Sequence, residues 1–333
     1  MSKTTLLDIA KEVNLSKTTV SMVLNKKDIN VSEETRNKIL EAAKRLNYIP
    51  NSLARSLSTK KTYTIGFIIP DIENPFFSEM AKAIESEAEK YGYSMILCNT
   101  FNNGSKEEEY VRLLISKLID GVVIASSGEK NNSTELLKSN EIPFVILDRH
   151  IDEQENINGV FCDNKSGIKL GIEYLIKKGY KNIAFVGGNN KGVLANSRLE
   201  YFCETAKEYK IFDEELILEE EFSLEGGIRA TENLIKKNKL IDAIFYSSDV
   251  MAIGGMKCLL RKGYSIPNDI GILGYDNIGI CSFIEPELTT IAQPIYKMGE
   301  ESCKLLMNEI NKKNKSKHII NLSPYLVERK TIR

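Results

Sequence analysis

The sequence offers nothing long or apolar enough to cross a membrane. No apolar run approaches the roughly 18 residues that a spanning helix needs, and residues 1–5 (MSKTT) lack the apolar core of an export signal. We therefore expect a cytoplasmic protein with no membrane partner.

Histidine and paired cysteine are scarce. Only His150 and His318 occur in 333 residues, which leaves few general bases and metal ligands. No C-x-x-C pair occurs among the six cysteines, so reduced, buried thiols are favoured over disulfides or a zinc site. They are Cys98, Cys162, Cys203, Cys258, Cys281 and Cys303.

Catalytic motifs are missing as well. No G-x-G-x-x-G follows a predicted strand and no G-x-S-x-G elbow is present. Gly187 and Gly192 have the spacing of a phosphate-binding loop, but Val193 and Leu194 stand where Lys and Ser or Thr are required. We expect neither an enzyme nor a bound cofactor or metal.

The overall net charge of −1 hides a strong asymmetry. Residues 1–62 hold 12 basic and 6 acidic side chains, a charge of +6, so the remainder carries −7. A basic N-terminal segment on an acidic body suggests a polyanionic partner for that segment alone. A chance surplus of surface lysine would give the same balance, and charge alone leaves both readings open.

The basic segment reads as short helices. Thr5 is a predicted N-cap with Asp8 three residues later, and Ser16 caps a second helix over 17–25. Ser32 caps a third helix, and a short helix over 51–58 follows. This spacing is typical of a helix-turn-helix DNA-binding domain. The alternative is a three-helix bundle that has no partner.

From residue 64 onward, short apolar strands alternate with amphipathic helices. This pattern predicts an α/β body of two doubly wound parallel sheets, with ligands bound beyond the carboxyl ends of the strands. The predicted strands are 65–69, 94–98, 121–125, 144–147, 183–186, 243–246 and 271–273, and the predicted helices are 76–91, 107–117, 135–140, 167–178, 196–209, 225–237 and 250–262.

Polar and aromatic residues follow four of these strands. Carboxylates accept hydroxyl hydrogen bonds, arginines donate them and aromatic faces cover sugar rings, so these positions predict a pocket. Asp249 has an alternative role as the cap of the next helix. The positions are Asp71 and Asn74, Asp148-Arg149, Ser247-Ser248-Asp249, and Tyr275-Asp276-Asn277.

Motifs along the whole chain resemble those of the LacI/GalR family of transcriptional repressors. They are Thr5–Ala10 (TLLDIA), Ser16–Ser21 (SKTTVS), Val31–Arg36 (VSEETR), Asn47–Asn51 (NYIPN), Ala54–Leu57 (ARSL), Asn74–Phe77 (NPFF), Asp120-Gly121, Gly271–Asn277 (GILGYDN), Leu288–Ile291 (LTTI) and Gln293-Pro294. The resemblance implies a DNA-binding head at 1–49 and a hinge helix and linker at 50–62. It also implies a periplasmic-binding-protein-like body at 63–333, with lobes near 63–160 plus 292–322 and 161–291 plus the C-terminus.

The resemblance implies that the second helix enters the major groove. Lys17, Thr18 and Met22 match positions that read bases, and Met22 replaces an arginine common there, leaving only apolar contact. Leu57 matches a leucine wedged into the minor groove. The remaining implied DNA contacts, mostly to phosphates, are Thr5, Ser16, Thr19, Ser21, Asn25, Asn51 and Arg55.

For the body, the resemblance implies an effector site between the lobes. Ser248 replaces an asparagine usual in the family. For Phe76 and Phe77 the alternative is simple packing beneath the first body helix. The implied effector residues are Phe76, Phe77, Asp148, Arg198, Phe222, Ser248 and Asp276.

Together these features predict a homodimeric repressor on a pseudo-palindromic operator, controlled by a small molecule, with a sugar favoured. A purine corepressor or a phosphocarrier protein partner remains an alternative. A solute-binding protein for uptake would share the body but would need an export signal and would not carry the head.

Overall fold

The computed structural model describes residues 4–25, 28–49, 61–126, 132–149, 157–188, 197–237, 239–311 and 318–333. The chain separates into two compact units, Met1–Thr62 and Tyr63–Arg333, and each is described by itself. The predicted hinge helix, with Asn51, Arg55 and Leu57, lies outside the described residues.

The first unit is a cluster of short helices around its own core. The helices are α1 (Leu6–Glu12), α2 (Lys17–Leu24) and α3 (Glu33–Arg45). Ile9, Val20 and Ile39, one from each helix, are fully buried together. Asn14 adopts φ 52° in the turn between α1 and α2, a left-handed conformation that asparagine tolerates better than most residues.

Hydrogen-bonding side chains fix where these helices begin, as the sequence predicted. The Oγ of Ser16 accepts from the Thr19 backbone N at 3.0 Å, and that of Ser32 accepts from the Thr35 N at 3.2 Å. These are N-caps that satisfy backbone donors with no partner inside the helix.

The second unit contains two six-stranded sheets, one in each lobe. The strands are β1 Thr64–Ile69, β2 Ser94–Asn99, β3 Gly121–Ile124, β4 Phe144–Leu147, β5 Gly159–Cys162, β6 Ile183–Gly188, β7 Ile217–Glu220, β8 Ala243–Tyr246, β9 Gly271–Asp276, β10 Thr289–Ala292, β11 Ile319–Leu322 and β12 Tyr325–Val327. The first sheet has the order β11-β5-β4-β3-β1-β2 and is parallel throughout, while the second has the order β12-β10-β9-β8-β6-β7 and is parallel except at β12.

Helices cover both sheets, as expected for parallel strands that are buried on both faces. They are α4 Pro75–Lys90, α5 Gly104–Ser116, α6 Ser133–Ser139, α7 Asn164–Lys177, α8 Ser197–Glu208, α9 Leu224–Lys236, α10 Asp249–Arg261 and α11 Ile295–Ile310, with 3₁₀ turns at Glu214–Leu216 and Gly279–Ser282. The predicted α/β architecture of two doubly wound sheets is confirmed.

The chain crosses between the lobes three times, after β5, after β10 and after β11. The first crossing follows Cys162, two residues beyond the expected boundary at 160. The seven predicted strands are present, but the pattern missed β5, β7, β10, β11, β12 and helix α11. The missed strands have only three or four residues, and β7, β10 and β11 include polar side chains that interrupt the continuous apolar run by which the equally short β3, β4 and β8 were found.

In the part of the chain that the structure describes, no helix is long and apolar enough to span a bilayer, and no group of three or more His, Cys, Asp or Glu side chains could hold a metal ion. All six cysteines are free thiols and five of them are buried, as predicted.

Candidate functional site

One candidate site is the outward face of α2. Val20 and Val23 turn into the core of the first unit. Ser16, Lys17 and Thr18 are exposed at the start of the helix. Further along the helix the remaining predicted contacts are partly exposed: Thr19, Ser21, Met22 and Asn25. The face away from the core is therefore polar apart from Met22, which suits entry into a DNA groove.

Several of these polar side chains also hold the helix in shape. The hydroxyls of Ser16 and Thr19 are 2.8 Å apart, and the Asn25 Nδ2 donates to the Ser21 carbonyl at 2.8 Å. Thr5, exposed before α1, donates from its backbone N and its Oγ1 to the Asp8 carboxylate. Lys17 and Thr18 project from the same end of α2 into solvent.

The second candidate site is a cleft between the two lobes of the body. It encloses about 670 Å³, part of it open to solvent, and all seven predicted effector residues line it. Its walls are the carboxyl ends of the parallel strands and the helix starts that follow them. The lining residues are Asp71, Asn74, Phe76, Phe77, Asn102, Asp148, Arg149, Asn164, Ser197, Arg198, Phe222, Ser248 and Asp276.

Two of the aspartates sit in backbone conformations that side-chain-bearing residues rarely adopt. Asp148, directly after β4, has φ 71°, and Asp276, at the end of β9, has φ 116°. The Arg149 N donates to the Leu147 carbonyl at 2.9 Å, so Asp148 is the middle residue of a tight three-residue turn. Strained backbone conformations of this kind are concentrated at functional sites, where they direct a side chain towards a ligand.

Arg198, at the start of α8, is held from several directions. Its Nε donates to the Asn164 Oδ1 at 2.8 Å, and one terminal nitrogen donates to the Ser247 carbonyl at 2.6 Å. The guanidinium also lies 4.0 Å from the centre of the Tyr275 ring, within range of a cation–π interaction. These contacts fix a planar donor group at the wall of the cleft.

The Asp276 carboxylate is the deepest acid of the site. Its Oδ1 accepts from the Gln293 Nε2 at 2.8 Å and from Arg198 at 3.4 Å. Burial raises the pKa of Asp276 to about 8, and Arg198 and Gln293 oppose that rise. Among the described residues no hydrogen-bond donor lies on the second carboxylate oxygen, which leaves it able to accept from a ligand.

Asp148 and Arg149 form the matching charged pair on the first lobe. The Arg149 Nε lies 3.8 Å from the Asp148 Oδ2, and its guanidinium carbon lies 5.9 Å from the centre of the Phe222 ring of the second lobe. Burial raises the pKa of Asp148, while Arg149 and Arg198 lower it. Each lobe thus places at least one aspartate and one arginine in the cleft lining, and the first lobe adds Asp71.

Aromatic rings from both lobes complete the cleft. Phe76 and Phe77 pack edge to face, 5.1 Å apart, and are almost fully buried while still lining the cavity. Both roles considered for them, packing and cleft lining, are therefore present. Phe222 follows β7 and lies over Gly188.

Ser248, rather than Asp249, caps helix α10. Its Oγ accepts from the Met251 N at 3.4 Å. Asp249 is fully buried outside the cleft lining, where it accepts from the Thr290 Oγ1 at 2.6 Å and from the Ile278 N at 3.0 Å. The capping alternative for Asp249 was wrong, because its carboxylate points away from the helix start and holds the segment after β9.

Three lining residues escaped the sequence analysis: Asn102, Asn164 and Ser197. Asn164 follows β5, a strand that the pattern missed, and Ser197 begins a helix next to the better matched Arg198. Asn102 has φ 55° shortly after β2. Extending the strand-end rule to four residues past the predicted strand 94–98 would have found Asn102, whereas Asn164 follows a strand that the pattern missed.

Two family models match the chain. Residues 5–51 match the model described as bacterial regulatory proteins of the lacI family, and residues 62–330 match the model described as periplasmic binding proteins and the sugar-binding domain of the LacI family.

Curated relatives extend over nearly the full length. The chain is 40% identical over 328 residues to the ribose operon repressor of Halalkalibacterium halodurans, covering 98% of this chain and 97% of that protein. It is 36% identical over 331 residues to the transcriptional repressor PurR of Histophilus somni, covering 99% of both, and 35% identical over 335 residues to catabolite control protein A of Priestia megaterium, covering 97% of both.

Solved structures give the same result. The lac repressor dimer bound to operator and the anti-inducer ONPF superimposes with a TM-score of 0.88, at 27% identity and 99% coverage of both chains. A LacI family regulator from Enterococcus faecium with bound ribose superimposes with a TM-score of 0.72, at 32% identity, covering 81% of this chain and 98% of the other. This chain belongs to the LacI family of transcriptional regulators.

Proposed function

We propose that the protein is a transcriptional repressor whose affinity for its operator is set by a small carbohydrate bound in the cleft, with ribose the favoured effector. The observation that carries the proposal is the cleft itself, in which Asp148 and Asp276, one acid from each lobe, face a space flanked by aromatic rings. The same chain carries a helix-turn-helix head.

The cleft chemistry suits a polyhydroxylated ring. A sugar hydroxyl both donates and accepts, and the walls supply carboxylates as acceptors, arginines as fixed donors and amides that do both. Phe222 and Phe76 supply apolar faces for the C–H side of a ring. The ribose operon repressor named above and the ribose-bound structure favour a pentose over larger sugars.

The head suits double-stranded DNA. The exposed Lys17 and Thr18 at the start of α2 would reach base edges, and Ser16, Thr19, Ser21 and Asn25 would contact phosphates. Thr5 would add a contact before α1. Asn51, Arg55 and Leu57 stay part of the proposed interface on the family resemblance alone.

We propose that two copies bind a pseudo-palindromic operator, because a two-fold dimer presents its two heads to two matching half-sites. The lac repressor in the operator-bound structure is a dimer. A DNA partner also implies action in the cytoplasm. Coupling between effector and operator is reciprocal, so an inducer binds the DNA-free form more tightly and a corepressor the DNA-bound form.

A thermal-shift screen of the full-length protein tests the effector class. Pentoses, hexoses and purine bases are added one at a time, and a ligand at 100 times its dissociation constant should stabilise the protein by about 2.7 kcal/mol. A shift with ribose and none with purines is expected. A shift with hypoxanthine or guanine and none with any sugar would replace the carbohydrate by a purine corepressor.

A DNA-binding titration then gives the sign of the coupling. The operator is selected from random duplexes, and its affinity is measured by fluorescence anisotropy at fixed salt with and without the stabilising ligand. A ligand that stabilises the protein but leaves operator affinity unchanged would contradict control through the cleft and would favour a protein partner.

A further inference from the structure

Away from the crossovers, a hydrogen bond among the described residues joins helix α4 of the first lobe to the 3₁₀ turn Gly279–Ser282 of the second lobe. The Oε1 of Glu79, on α4 of the first lobe, accepts from the backbone N of Gly279 in the second lobe at 2.7 Å. Neither residue lines the cleft; both line a separate groove with Lys82 and Tyr296. A carboxylate acceptor makes this a charge-assisted bond, which is stronger than one between neutral groups.

The carboxylate approaches the backbone of Gly279 closely. A Cβ there would lie 3.2 Å from the Glu79 Oε1, closer than side-chain carbons normally approach an oxygen. Gly279 also begins the 3₁₀ turn Gly279–Ser282, so its N–H has no partner within that turn. Glu79 therefore supplies an acceptor from the opposite lobe to a donor that the turn itself does not satisfy.

Each partner is rigidly linked to the cleft. Glu79 lies about one helical turn after Phe76 on α4, and α4 is tightly packed, because a Cβ on Gly299 of α11 would lie 2.7 Å from the Cβ of Ala83. Phe76 lines the cleft. A movement of the cleft wall at Phe76 would therefore carry Glu79 with it.

Gly279, the other partner of the bond, lies three residues after Asp276, and hydrogen bonds hold both residues between them. Arg329 donates to the Asn277 Oδ1 at 2.6 Å, and the Ile278 N donates to the buried Asp249. The short segment cannot bend freely between Asp276 and Gly279. A shift of Asp276 relative to the first lobe would thus move Gly279 and lengthen or break its bond to Glu79.

We propose that the Glu79–Gly279 bond is a latch that holds the two lobes closed over the effector cleft. The proposal rests on the proposed function only in naming the cleft as an effector site. Opening the lobes requires the bond to break, so the latch lowers the free energy of the closed form relative to the open form. It thereby slows the escape of a bound effector.

Three variants of the full-length protein test the latch. Glu79→Ala removes the acceptor, Glu79→Gln keeps a neutral acceptor of the same length, and Gly279→Ala crowds the carboxylate. Glu89→Ala is the matched control, since Glu89 is an exposed glutamate on the same helix.

The first measurements need no effector. Amide hydrogen exchange by mass spectrometry should show faster exchange at Gly279 in Glu79→Ala, by about 3- to 30-fold, with Glu79→Gln intermediate. Small-angle X-ray scattering should show a more extended body in Glu79→Ala and Gly279→Ala than in Glu89→Ala. Unchanged exchange and scattering in Glu79→Ala would overturn the proposal, whether or not a sugar binds.

With ribose bound, its dissociation from Glu79→Ala should be about 3- to 30-fold faster than from the control. Equal dissociation rates in Glu79→Ala and Glu89→Ala would overturn the role of the latch in effector retention. If the native protein binds no sugar or purine, the proposed function fails, and the exchange and scattering results still decide the latch.

Discussion

The ring of Phe222 occupies the space where Gly188 would carry a side chain: a Cβ built on Gly188 would lie 1.8 Å from the Phe222 Cε2. Gly188 is the last residue of β6, and Phe222 follows the neighbouring strand β7. The aromatic wall of the cleft is therefore positioned by the absence of a side chain on the strand beneath it.

We predict that Gly188→Ala weakens effector binding by about tenfold or more, because the added methyl displaces the Phe222 ring from the cleft wall. Isothermal titration with the effector measures the change. Gly187→Ala is the control, since a Cβ there makes only ordinary contacts at 3.5 Å or more. Equal affinity for the two variants would show that the ring is not part of the binding surface.

Effector affinity should depend on pH through Asp276. Burial raises the pKa of Asp276 to about 8, against the opposing effect of Arg198 and with Asp249 and Asp148 raising it further. A ligand hydroxyl that donates to the ionised carboxylate must displace the proton below that pH. Affinity is therefore expected to fall by up to about tenfold per pH unit as the pH drops from 8 towards 6.

Titrations at pH 6, 7, 8 and 9 test this dependence. Asp276→Asn should bind about 10- to 100-fold more weakly at pH 9 and should show no such trend. A flat profile for the native protein would mean that Asp276 accepts no hydrogen bond from the effector.

Ser16 and Ser32 form a matched pair in the head. Each caps a helix by accepting from a threonine N three residues later, and each hydroxyl lies within 2.9 Å of that threonine's hydroxyl. Substituting either by alanine should lower the stability of the head by about 1 kcal/mol. Only Ser16 lies at the start of the proposed recognition helix.

Ser16→Ala should therefore also weaken operator binding, by roughly 3- to 10-fold, through a lost phosphate contact. Chemical denaturation followed by circular dichroism measures the loss of stability. Fluorescence anisotropy at fixed salt measures the loss of operator affinity. If Ser32→Ala weakens operator binding as much as Ser16→Ala, the loss comes from stability and not from contact with DNA.

An exposed aromatic predicts where two copies of the body meet. Phe283 is 84% exposed, with Ile280 partly exposed on the preceding turn. Exposed apolar side chains that are neighbours, as Ile280 and Phe283 are along the chain, are typical of subunit interfaces, whereas isolated ones are common on any surface. We expect Phe283→Glu to shift the protein from dimer towards monomer.

Sedimentation velocity at micromolar concentration measures that shift, with Leu240→Glu as the control. Leu240 is also highly exposed, but it lies in the loop between α9 and β8. A Phe283→Glu protein that remains dimeric would move the interface to another face.

Much of the fold follows from local sequence because its determinants are local. The caps at Ser16 and Ser32 lie three residues from the donors they satisfy, and the buried strands β1 and β8 are continuous apolar runs. Which strands pair does not follow from local sequence: β5 and β11 join residues 160 positions apart, with Ile319 beside Gly159. No window of sequence contains such a pair.

The candidate site, like the fold, includes residues that the sequence predicted and residues that only the structure revealed. Family motifs pointed to Asp148, Arg198 and Asp276, but not to Asn164, which orients Arg198 from 34 residues away. The sequence alone determined the helical head, the charge of +6 on residues 1–62 and the alternation of strands and helices, because these depend on residue type and short spacing. The tertiary structure decided which strand ends share one cleft, that Asp249 supports the fold outside it, and that Glu79 meets Gly279, because hydrogen bonds between residues up to 200 positions apart form only when both lobes are built.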